Sequence, residues 1–132
     1  MRRGVSAGRR GNADTTYYAR HDGAWKARWR DSGWTAFSPA SGFAGVYRYR
    51  VLGGLIEVRW ACTTSIAAGA FVNPLFTLPA VARPSTDVAA AVYGAFAQPM
   101  TALLGADGVL YIRNNHSAAA ANHSGSAIYL QG

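Results

Sequence analysis

The sequence predicts an all-β fold, an antiparallel β-sandwich or jelly roll with an extended N-terminal arm. Three observations carry this expectation. Alternating apolar and polar runs recur about every ten residues. Fifteen Gly and five Pro punctuate the chain between those runs. Amphipathic helical periodicity is absent, and so is any repeat of the length that builds solenoids. At 132 residues, with half of them apolar, the chain suits one modest core.

Residues 1–16, MRRGVSAGRRGNADTT, are Gly, Arg and small polar residues with too little apolar surface to fold alone. They are expected to form a basic extended arm. Eight of the thirteen basic residues fall in the first thirty positions: Arg2, Arg3, Arg9, Arg10, Arg20, Lys26, Arg28 and Arg30. The formal charge of +7 is therefore polarised toward one end. Arg2, Arg3, Arg9 and Arg10 are the candidate anchoring residues for an acidic partner surface.

Residues 17–32 read as an aromatic hairpin connector. Asp22-Gly23 is a strong two-residue turn pair, flanked by Tyr17–His21 and Ala24–Trp29. Trp34–Phe37 is a short strand, and Ser38–Gly42 a loop that Pro39 keeps out of a sheet ladder.

The central hairpin has the clearest pattern. Tyr47, Tyr49 and Val51 alternate with Arg48, Arg50 and Leu52; after Gly53-Gly54, Ile56, Val58 and Trp60 alternate with Glu57 and Arg59. Strict period-two alternation on both sides of a Gly pair predicts a tight hairpin. Leu75–Leu78 is a short apolar strand ending at Pro79. Val88–Phe96, Met100–Leu104, Val109–Arg113 and Ser126–Leu130 follow as strands, with Gly105–Gly108 a turn and Asn114–Gly125 an exposed polar loop.

The order of these motifs resembles the C-terminal head domain of phage tail fibre and receptor-binding proteins. In that family a strand of the form "YR..GG.V.LRG" precedes a Gly-rich link and "IFTLPAGYRPS". The matching residues are Tyr49-Arg50, Gly53-Gly54, Glu57-Val58-Arg59, Phe76-Thr77-Leu78-Pro79 and Arg83-Pro84. Ala106–Ile112 matches the family's "DG.v.i" strand, and Ile128-Tyr129-Leu130 stands where its final strand lies. Val81-Ala82 replaces the usual Gly-Tyr, and the terminal Trp-Val-Ser is absent. The resemblance covers residues 33–132, which form the head domain of this reading. It implies a bacteriophage virion structural protein, a homotrimer carried on a tail fibre or baseplate, with other virion proteins as partners. Host surface glycan is a partner the same resemblance allows. The loop residues Asn114, Asn115, His116, Asn122 and His123 are then the candidate host-surface contacts. An alternative keeps the domain and moves it to the capsid, as a decoration or head-fibre protein anchored by its basic arm.

Other functions are weakly supported. The six acids show no facing pair of the kind glycosidases need, and no nucleophile elbow, Walker loop or dinucleotide fingerprint occurs. The expectation is therefore a chain that is not an enzyme, with no cofactor. His116 and His123 share a loop without a nearby Cys or acid, so no metal site is assigned. A nucleic-acid-binding β-barrel is disfavoured, because the basic residues crowd the terminus rather than a strand face. No apolar run is long enough for a membrane helix, and no apolar segment follows Met1-Arg2-Arg3, so neither a span nor a signal peptide is expected. The lone Cys62 reads as a small buried hydrophobe. Four Trp and seven Tyr read first as core and interface.

Overall fold

The computed structural model describes residues 5–7, 15–21, 24–95 and 98–132, with side chains from residue 31 onward. Among the described residues eleven strands lie in chain order: β1 (Val5–Ala7), β2 (Thr15–His21), β3 (Ala24–Asp31), β4 (Thr35–Ala36), β5 (Gly45–Leu52), β6 (Leu55–Cys62), β7 (Phe71–Thr77), β8 (Val88–Gly94), β9 (Met100–Leu104), β10 (Val109–Asn114) and β11 (His123–Leu130). Every pairing is antiparallel, and the ladder runs β1-β2-β3-β5-β6-β11-β8-β9-β10-β7, with β4 beside β5. The all-β antiparallel expectation is met.

The sheet turns a corner within β8. Its Ala91–Gly94 half pairs with β11, whereas its Val88–Ala90 half pairs with β9. The ladder therefore curls, and β7, at its far end, packs back over β5 and β6. Phe76 of β7 is fully buried, with Phe37, Tyr47 and Trp60 rings at 5.0, 6.0 and 5.4 Å. All three contacts are edge-on, the arrangement that ring quadrupoles favour. Around this cluster Ile56, Val58, Leu75, Leu78, Leu104, Leu110 and Ile112 complete one core.

The central hairpin pairs as its alternation requires. Leu52 faces Leu55 across the turn, and only Gly53 of the two glycines takes positive φ, at 62°. Tyr47, Ile56, Val58 and Trp60 point inward. Cys62 is buried as expected. β2 and β3 pair with His21 opposite Ala24, while the Asp22-Gly23 turn itself lies outside the described residues. Within the segment read as an arm, Val5–Ala7 pairs with Tyr17–Ala19; Arg2, Arg3, Arg9 and Arg10 lie outside the described residues.

Two expectations about the second half are corrected. β7 begins at Phe71 rather than Leu75, and Pro74 lies inside it. An edge strand tolerates proline, and here the register to β10 slips between Leu110 and Ile112, which absorbs the missing N–H. β11 begins at His123, three residues before the expected start at Ser126. Ser and Gly content suggested a loop, but His123, Gly125, Ala127 and Tyr129 alternate inward.

The matched Leu78-Pro79 and Arg83-Pro84 flank a single turn of 3-10 helix at Ala80–Ala82. Arg83 closes it by donating from Nε to the Leu78 carbonyl at 3.1 Å, and the Tyr129 hydroxyl donates to the Ala82 carbonyl. Burial raises the Tyr129 pKa well above that of a free phenol, so this donor is held as the neutral form.

Candidate functional site: the outer face of the central sheet

Strand register places side chains of the outer face in rows. Leu52, Leu55 and Leu130 form one, and Arg50, Glu57 and Ile128 the next. Arg48, Arg59, Ser126 and Ala91 form the third, and Val46, Ala61, Ser124 and Tyr93 the fourth.

The second and third rows gather charge around Trp34. The guanidinium carbons of Arg48, Arg50 and Arg59 lie 4.7, 4.6 and 5.6 Å from its ring centroid. Glu57 is buried between two of them. Arg50 donates from Nε to Glu57 Oε1 and Arg59 from Nε to Oε2, both at 2.8 Å, and Arg50 also reaches Asp31 at 3.3 Å. These contacts let a carboxylate sit inside without remaining an unpaired charge. Arg48 and Arg59 are direct cross-strand partners, an arrangement that is destabilising for like charges. The Trp34 face and Glu57 offset that cost. The patch carries three cations against two acids.

Beside Arg59 an open groove of about 250 Å³ is lined by Arg59, Tyr93, Ser124, Gly125 and Ser126. Its floor is flat because Ser124, Gly125 and Ser126 are small, and its walls are a 61 % exposed tyrosine and an exposed arginine. A second groove, of about 290 Å³, lies on the outer side of β9 and β10, among Phe71, Thr101, Leu103, Tyr111 and Arg113. Phe71 stacks on Tyr111 there at 6.2 Å, and Arg113 lies over Phe71 at 5.5 Å.

The loop residues expected at a host surface fall into two sets. Asn115 and Asn122 are exposed, and His116 is half-buried. Asn114 and His123 are interior, at 0 % and 2 % exposure, which corrects their reading as surface contacts. Asn114 holds the loop from within. Its Nδ2 donates to the Ile66, Ala67 and Ala118 carbonyls at 3.1, 3.2 and 3.0 Å, and its Oδ1 accepts from the His116 amide at 3.0 Å. Asn115 Nδ2 donates to Thr101 Oγ1 at 3.2 Å, and His116 Nδ1 accepts from the Ala118 amide at 3.0 Å. The loop is thus braced, not a free polar tether. Among the described residues no three His, Cys, Asp or Glu side chains gather as a metal would need.

His123 Nε2 accepts a 3.0 Å hydrogen bond from Trp60 Nε1. The indole can only donate, so the neutral imidazole carries its proton on Nδ1. That buried Nδ1 has no partner among the described residues. Burial lowers the His123 pKa from 6.5 to about 4. The unfolded chain therefore takes up the proton first. The contribution is fully present above pH 6.5 and is lost as pH falls through about 4. Stability is expected to drop by about 3 kcal/mol across this window from His123 alone. Urea midpoints of the wild type and His123→Gln, which keeps an acceptor for Trp60, should diverge there. Parallel pH curves would refute the assignment.

No protein-family model, curated protein or solved structure matches the chain. The Trp34 cluster and the Tyr93 groove are what sequence reasoning missed. Trp34 lies far along the chain from Arg59, and only strand pairing brings Tyr93, Ser124 and Arg59 side by side.

Proposed function

We propose that this chain is the head domain of a bacteriophage virion protein, trimeric, mounted on a tail fibre or baseplate and contacting the host surface. One observation carries the reading beyond the motif resemblance. Phe71, Val81, Leu103, Ile128 and Leu130 stand 40–68 % exposed on a small sandwich. Ile128 and Leu130 share the outer face of β11 beside Leu52 and Leu55. Where exposed apolar side chains form a contiguous patch they mark a contact surface, and cyclic closure is the common way for identical chains to cover one. The braced loop around Asn115 and Asn122 and the outer-face grooves supply rigid surfaces for contact with a host.

Light scattering on a sizing column tests the assembly. A mass of three times 14.0 kDa is expected, and a stable monomer over a wide concentration range overturns the trimeric head. The concentration of basic residues in the first thirty positions favours a second reading, a capsid decoration or head-fibre protein held by that arm. It requires that removal of residues 1–16 abolish attachment to capsids while the sandwich stays folded.

A further inference from the structure

We propose that the groove between Arg59 and Tyr93 is a binding site for one anionic sugar unit of a surface polymer. For the source of the ligand, this rests on the host-contact reading above.

The chemistry is assembled by register. Ser124 pairs with Tyr93 and Ser126 with Arg59, so the two hydroxyls lie between an aromatic wall and a cationic wall. A sugar ring presents both an apolar C–H face and hydroxyls. The first suits the exposed Tyr93 ring, and the second suit the serine hydroxyls. Arg59 lines the groove and engages Glu57 through Nε, which occupies one of its five N–H donors and leaves four for a ligand. Guanidinium forks take carboxylate or phosphate in two parallel hydrogen bonds.

Charge points the same way. Arg48 is placed directly beside Arg59, and three arginines share two acids, Glu57 bridging Arg50 and Arg59 and Asp31 held by Arg50. An incoming anion balances the remaining positive charge, which a neutral sugar leaves in place. Size agrees as well. About 250 Å³ in an open groove is below the roughly 300–1,000 Å³ of small-molecule pockets, which fits one ring of a chain that continues past it. Gly125 contributes only backbone to the floor, because its Cα hydrogen faces the Trp60 ring on the inner side.

The test titrates the intact protein with tetragalacturonate and with glucose phosphate, using maltotetraose as the neutral control, followed by amide NMR shifts. Shifts confined to Tyr93 and Ser124–Ser126 with at least one anionic probe are expected, with dissociation constants on the order of millimolar. The probe that binds decides between a uronic-acid and a phosphate source. Tyr93→Ala and Ser126→Asp, both on the outer face, should each weaken binding about tenfold or more. Either variant keeping wild-type affinity overturns the site, and so does equal binding of maltotetraose or silence from both anions. A null titration on a chain of trimeric mass removes the groove alone; a monomeric mass with a positive titration removes the trimeric head and keeps the groove.

Discussion

Asn114→Asp is expected to unfold the protein at neutral pH or leave it barely stable. The substitution is nearly isosteric, so packing is unchanged and only hydrogen-bond chemistry differs. Nδ2 of Asn114 faces three carbonyl oxygens within 3.2 Å, and the side chain is fully buried. A carboxylate there sets a negative oxygen against three acceptors, with no cation among the described residues in its contact shell. An unpaired buried charge costs about 4 kcal/mol or more, against a total stability on the order of 5–15 kcal/mol for a domain of this kind. Asn114→Ala removes the donor without adding charge and should cost about 2–3 kcal/mol.

The pH dependence separates the two variants. Repulsion and burial raise the introduced carboxyl's folded pKa above the roughly 3.9 of the unfolded chain. Its penalty relative to wild type therefore shrinks as pH falls through that interval, while the Asn114→Ala penalty stays flat. The measurement is the urea midpoint of each variant minus wild type, since His123 destabilises all three chains on the same acid limb. An Asn114→Asp protein as stable as wild type at pH 7 would mean that the carbonyl cluster does not hold the loop.

Gly125→Ala is expected to cost about 3 kcal/mol, at the upper end for overpacking. A Cβ at this position would stand 2.1 Å from Trp60 Cζ2. The indole cannot withdraw. Phe76 packs edge-on against it at 5.4 Å, and His123 holds its Nε1 at 3.0 Å. The backbone cannot withdraw either, because β11 is hydrogen-bonded to β6 on one side and β8 on the other. A double-mutant cycle with Trp60→Phe isolates the clash. Shrinking the ring makes room for the methyl, so the two penalties should fall short of additive by about 1 kcal/mol or more. Strict additivity would place the cost of the alanine elsewhere, in strand backbone rather than in the ring contact.

The correction at β11 shares its cause with this prediction. His-Ser-Gly-Ser-Ala reads locally as loop, because Gly and Ser are poor strand formers. In the fold those residues are small for positional reasons. Gly125 makes room for an indole, and Ser124 and Ser126 floor the outer groove. Asn114 was misread in the same way. Asn is common in turns, and nothing in its neighbours along the chain announces that Ile66 and Ala67 carbonyls lie across from it.

The sequence by itself determined the antiparallel β class, the central hairpin with its inward and outward faces, and the strands at Met100–Leu104 and Val109–Arg113. Those features follow from period-two alternation and turn residues, which act within a few positions of each other. Tertiary structure alone decided which strands lie side by side, that β8 turns the corner between the two halves, and that Asn114 and His123 are interior. It also decided that Trp34 gathers three arginines and that Tyr93 meets Arg59 across β11. Each of these depends on residues well separated along the chain. The pairing of β4, β5 and β6 gathers the arginines at Trp34, Asn114 reaches the Ile66 and Ala67 carbonyls, and the pairing of β11 between β6 and β8 builds the groove.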